Sequence, residues 1–70
     1  MLDDYTRFQA NDEIALLTAI SMTEVTAKKA ELYQGLAKNP EVKKFFERRA
    51  ALMRKVNDGI RKQLDKLGRA

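Results

Sequence analysis

The chain has 70 residues, a formal charge of +4, no Cys and no His, so it is one small domain without a disulfide, a zinc finger or a Cys- or His-based catalytic centre. Three Gly and one Pro, with 34% charged and 44% hydrophobic residues, exclude a turn-rich β-sandwich and a disordered low-complexity chain. No apolar run reaches the roughly 18 residues of a membrane helix, and a domain of this size buries only about 60% of its unfolded surface, which leaves a solitary copy marginal.

The first residues, Met1-Leu2-Asp3-Asp4, are acidic and hold no apolar core of signal-peptide length, which points to a cytoplasmic protein without membrane contact. Leu2, Tyr5 and Phe8 recur at spacing three, so residues 1–11 read as an N-terminal arm or short helix. Residues 12–70 read as an antiparallel helical hairpin. Asn11-Asp12-Glu13 is a polar start ahead of Ile14, Leu16 and Leu17 and opens a first helix over about 12–38. That helix is apolar on two sides. One side is small: Ala19, Thr23, Ala27, Ala30 and Ala37, with Leu16, Ile20 and Tyr33 beside them. The opposite side is larger: Ile14, Leu17, Met22, Val25, Leu32 and Leu36.

Lys38-Asn39-Pro40-Glu41 is the clearest punctuation and places a turn at 38–40. Asn39 suits the N-cap, Pro40 the first helical position, and Glu41 the positive end of the helix dipole. The second helix runs over about 40–67 and closes at Leu67-Gly68. Val42, Phe45, Phe46, Leu52, Met53, Val56, Ile60, Leu64 and Leu67 form its apolar side. Gly59 lies inside this helix, where it either admits a close backbone approach or weakens the helix by about 1 kcal/mol relative to Ala.

With the turn at 38–40, residues whose numbers sum to roughly 79 face each other. Tyr33 then meets Phe46, Thr23 meets Val56, and Ala30 meets Arg49. Arg49 interrupts the apolar side, and its expected partner is Glu31, in a partly buried ion pair. Removing Glu31 would then cost more than removing Asp65, because a charge is stranded. Glu24 and Glu31 are seven apart on one side of the first helix and are read as salt-bridging to bases of the second rather than holding a metal. No catalytic residue, metal ligand set or cofactor site is expected.

The small side of the first helix suits close packing on the second, and the larger side has no partner in the chain. Six exposed apolar side chains exceed what monomers tolerate, and burying each contributes about 1.5–3 kcal/mol. The expected cover is a second copy, giving a homodimeric four-helix bundle with Ile14, Leu17, Met22, Val25, Leu32 and Leu36 at its interface; the alternatives are residues 1–10 folding back over part of it, or a different protein on the same face. Charge is uneven: residues 1–27 carry a net −4 and residues 28–70 a net +8. Complementarity between antiparallel helices accounts for this; the alternative is non-specific nucleic-acid binding through Lys43, Lys44, Arg48, Lys55, Lys62 and Lys66. Against that alternative, Glu41, Glu47, Asp58 and Asp65 interleave with the bases, and no aromatic lies on the same face.

The run Ala30-Glu31-Leu32-Tyr33-Gln34-Gly35-Leu36-Ala37, then Asn39-Pro40-Glu41-Val42-Lys43-Lys44-Phe45-Phe46 and Arg49-Ala50, resembles the rubrerythrin-type ferritin-like hairpin. The resemblance covers about 28–55 and implies a four-helix bundle built from two hairpins. It departs from that family where metal would bind. Thr26 stands where the family has a Glu, and Ala51-Leu52-Met53-Arg54-Lys55-Val56 stands where it has Glu-x-x-His. The reading is therefore a non-catalytic interaction or structural protein that self-associates through its first helix and offers charged faces to a protein partner. A degenerate ferritin-like protein is the further alternative.

Overall fold

A computed structural model describes the backbone of residues 4–69 and the side chains of residues 11–68. It holds two helices, α1 (Asp4–Leu36) and α2 (Pro40–Arg69), packed side by side as a hairpin. No strand occurs among the described residues.

α1 begins earlier than the sequence reading placed it. No Gly or Pro precedes Gly35, so nothing stops the helix at Asn11, and residues 4–11 continue α1 rather than forming a separate arm. The side chains of Leu2, Tyr5 and Phe8 lie outside the described residues. α1 also ends at Leu36 rather than Lys38, closed by a bond from Ala37 N to Tyr33 O at 2.9 Å. The cause is Asn39. Its Oδ1 accepts from the backbone N–H groups of Glu41 at 2.8 Å and Val42 at 3.3 Å. This cap needs a non-helical Asn39, and Pro40 independently disfavours helical geometry there.

The two helices meet along a seam that steps alternately by four and three residues. On α1 it comprises Leu16, Ile20, Thr23, Ala27, Ala30, Gln34 and Ala37, each buried or half-buried. On α2 it comprises Phe46, Ala50, Met53, Asn57, Ile60, Leu64 and Leu67. This is the spacing that keeps an antiparallel pair in register along its length. Ala27 is 1% exposed, and Ala30 and Ala50 are also buried. These small side chains let the backbones approach closely, and they make a thin core. Among the described residues only Ile20 joins them in the buried class, and no large side chain is fully covered.

At the turn end, Tyr33 stacks at a tilt on Phe46, with ring centroids 5.3 Å apart, and Phe45 meets Phe46 edge-on at 5.2 Å. Tyr33 and Phe46 face each other as the hairpin register requires. Thr23 and Ala30 do not face the residues expected for them. Thr23 meets Asn57 rather than Val56, and the seam residue near Ala30 is Ala50, while Arg49 is exposed. The stripe of α2 was centred one position off because Val56 and Arg49 lie at the edge of the apolar arc and not at its middle.

Two variants probe the local determinants. Asn39→Ala is expected to lower stability by about 1 kcal/mol in urea unfolding, since two N–H groups lose their acceptor. A Cβ at Gly59 meets nothing within 4 Å, so close approach within the hairpin does not explain this residue. Gly59→Ala is expected to raise stability by up to about 1 kcal/mol through helix propensity alone.

Candidate interaction surface

The long edges of the hairpin differ in chemistry. On one edge, Arg54 Nε donates to Glu31 Oε1 at 2.6 Å, and Arg61 pairs with Glu24. The Glu24–Arg61 bridge joins the acidic first stretch of the chain to the basic remainder, whereas Glu31–Arg54 lies within the basic remainder. Glu24 and Glu31 are thereby engaged by guanidinium groups. Glu31 therefore does not pair with Arg49, and its bridge is not buried: the side chains of Arg54 and Glu31 are 55% and 45% exposed. The expected buried Glu31–Arg49 pair fails because Arg49 turns to solvent on the other edge of α2, whereas Arg54 lies on the same edge as Glu31.

Inside this edge a polar clasp crosses the seam. Asn57 Nδ2 donates to Ile20 O and to Thr23 Oγ1, both at 2.9 Å, and Asn57 Oδ1 accepts from Arg61 Nε at 2.8 Å. Thr23 Oγ1 in turn donates to the carbonyls of Ala19 at 2.9 Å and Ile20 at 3.1 Å. A groove of about 420 Å³ opens beside the clasp, lined among others by Thr23, Glu24, Arg54, Asn57 and Arg61. A single polar residue in an otherwise apolar seam fixes register, because any slip leaves its amide unpaired. Sequence reasoning passed over Asn57. The signal was available in the seven-residue spacing from Ala50 to Asn57 to Leu64.

The opposite edge carries no such bridges among the described residues. Two helical positions correspond to a rotation of about 200°, so residues two away from the bridging groups point the other way. Met22 and Tyr33 stand two from Glu24 and Glu31, and Leu52 and Val56 stand two from Arg54. All four are exposed, as is Phe45. The same step places Val25, two from Thr23 and Ala27, and Leu32, two from Ala30, on the face of α1 turned away from α2. Val25, Leu32 and Leu36 are 51%, 59% and 67% exposed; Ile14 on the outer face, Met22 between that face and the unbridged edge, and Leu17, seven residues before Glu24 and so toward the bridged edge, are exposed as well. A shallow, mainly apolar groove of about 360 Å³ lies between Ser21, Met22, Val25 and Thr26. The hydrophobicity of α1 is thus balanced between opposite sides, whereas that of α2 is concentrated on one.

The six bases considered for nucleic acid, Lys43, Lys44, Arg48, Lys55, Lys62 and Lys66, are all exposed on α2. Lys44, Arg48, Lys55, Lys62 and Lys66 recur at spacings of four and seven along the outer face of α2. Lys43 lies toward the bridged edge, and Lys62 pairs with Asp58 at 3.3 Å within the helix. Among the described residues no three metal-ligating side chains converge, and no helix is long and apolar enough to cross a membrane. No family model matches the chain, and neither a curated protein nor a solved structure matches it.

The clasp and the bridges contribute unequally. Asn57→Ala removes hydrogen bonds at a half-buried position and is expected to cost about 1–2 kcal/mol in urea melts. Glu31→Ala removes an exposed ion pair and is expected to cost less than about 1 kcal/mol. Equal losses would mean that the clasp does not set the register.

Proposed function

We propose that this protein is a small, non-catalytic interaction and structural protein that self-associates through the outer face of α1 and leaves the charged outer surface of α2 to a protein partner. The carrying observation is the opposition of two apolar sides on α1, with α2 covering one of them. Surface area gives the scale. The hairpin exposes 5793 Å² for a mass of 8.0 kDa, whereas a compact monomer of that mass exposes about 4,500 Å². The excess of roughly 1,300 Å² exceeds the ~800 Å² that each partner contributes to a standard protein–protein interface.

A second copy fits this face better than solvent does. The thin core of alanines supplies little burial within one chain, and self-association adds it without any new sequence. The resemblance to ferritin-like hairpins supports the same reading, since that architecture is a bundle of two such units. A homodimer of two hairpins, four helices in all, is the smallest assembly that covers this face.

Self-association makes stability depend on concentration, because mass action favours the folded assembly. The thermal midpoint is expected to rise as protein concentration rises, read by circular dichroism. Val25→Glu with Leu32→Glu is expected to abolish that dependence, and Lys55→Glu, on the outer surface of α2, to leave it intact. A helical wild-type chain whose midpoint does not change with concentration would contradict the proposal.

A further inference from the structure

We infer that α2 carries a second packing row, Phe45, Arg49, Leu52 and Val56, whose occupant is an acidic amphipathic helix of another protein. The inference rests on the protein partner proposed above and names the chemistry by which that partner is held.

The row repeats the spacing of the seam. Phe45, Arg49, Leu52, Val56, Gly59 and Gln63 step alternately by four and three, each one position before a seam residue. One position is a rotation of about 100°, which turns this row from the seam to the unbridged edge. Alternating steps of four and three are the spacing by which one straight helix seats another. Phe45, Leu52 and Val56 are 57%, 48% and 39% exposed, and Met22 and Tyr33 of α1, also exposed, border the same edge. The open space beside Gly59 leaves the backbone there accessible to a helix that approaches closely.

Bases flank the row on its outer side. Arg48, Lys55 and Lys62 recur every seven residues, each one position before a member of the row, and all are exposed. In paired helices the positions beside the apolar row select the partner by charge. Arg49 adds a cation within the row itself. The acids that alternate with these bases in sequence stand elsewhere: Glu47, Asp58 and Asp65 follow Lys44, Lys55 and Lys62 by three residues, about 60° round toward the bridged edge. Asp58 reaches back to Lys62. Glu41, seven before Arg48, is the acid that shares the basic row, at the start of the helix.

The complement is a helix with apolar residues at the same steps and Asp or Glu alongside them. A second copy does not supply it. Laid on the same face, it sets Arg48, Arg49 and Lys55 against bases, while Glu24 and Glu31 are held by Arg61 and Arg54 on the other edge. A nucleic-acid backbone leaves Phe45, Leu52 and Val56 without a partner. A lipid surface calls for a broader apolar face than a row interrupted by Arg49.

The test is fluorescence anisotropy of a labelled synthetic helix of four heptads, with Leu at both core positions and Glu at the positions beside them, titrated with the full-length protein. A peptide with Lys in place of Glu is the counterpart. Wild type is expected to bind the Glu peptide and not the Lys peptide. Arg48→Glu with Lys55→Glu is expected to weaken the Glu peptide by about tenfold and to gain the Lys peptide. Leu52→Gln with Val56→Gln is expected to lose the Glu peptide, and Val25→Glu with Leu32→Glu, on the outer face of α1, to keep it. Circular dichroism confirms that each variant is helical. Failure of helical wild type to bind the Glu peptide overturns the inference, as does binding that only the α1 variant loses. So does a wild type that passes over the Glu peptide for phosphatidylserine vesicles or a DNA duplex. Self-association is read separately from the same samples: a thermal midpoint that rises with concentration stands whatever the peptide does, and one that does not rise leaves the peptide result intact.

Discussion

The structure depends on one constraint: α1 is apolar on opposite sides, and a two-helix hairpin shields a helix from one direction only. On the shielded side the residues are small, and Ala27, Ala30 and Ala50 bring the helices close. Small side chains cover little area, so the seam contributes modest hydrophobic stabilisation. The large side chains of α1 are on the far side. Val25, Leu32 and Leu36 on that far side are exposed and add nothing to the seam between the helices.

Polar groups do a different task in this hairpin. Asn57, Thr23 and the Ile20 carbonyl form a hydrogen-bonded crossing in the seam, and the Arg54 and Arg61 bridges flank it on one edge. An alanine seam tolerates sliding, because alanines at successive turns are interchangeable. An amide that must find a hydroxyl and a carbonyl does not. The bridges are half-exposed and contribute little free energy, and they lie on one edge, while the other carries Phe45, Leu52 and Val56 beside Arg49.

Much of this was legible in the residues. Asn39-Pro40 located the turn to within two residues, because capping and the missing proline N–H are local effects. Tyr33 opposite Phe46 followed from that turn. The two apolar sides of α1 were read from spacing, and each of the six residues assigned to the larger side is exposed, with Leu17 standing toward the bridged edge rather than opposite α2. The pairing of Glu31 was not legible. An α-helical arc of apolar residues has a centre that depends on what covers it, and α2 carries apolar groups both for the seam and for an open edge. Treating them as one stripe pulled its centre toward Arg49 and away from Asn57. The start of α1 was missed for a related reason: Asn11 has the composition of a cap, but a cap forms only where the upstream chain leaves the helix, and residues 4–10 do not.

The proposal that another copy covers the outer face of α1 is open to direct measurement. The chain has no Cys, so Thr18→Cys, seven residues before Val25 on that face, accepts a single nitroxide label. Pulsed dipolar electron paramagnetic resonance on this one-label protein reports only distances between copies. A defined inter-copy distance that vanishes on dilution with unlabelled chain is the expected result. Absence of dipolar modulation at every protein concentration, in a sample that remains helical, would contradict the account.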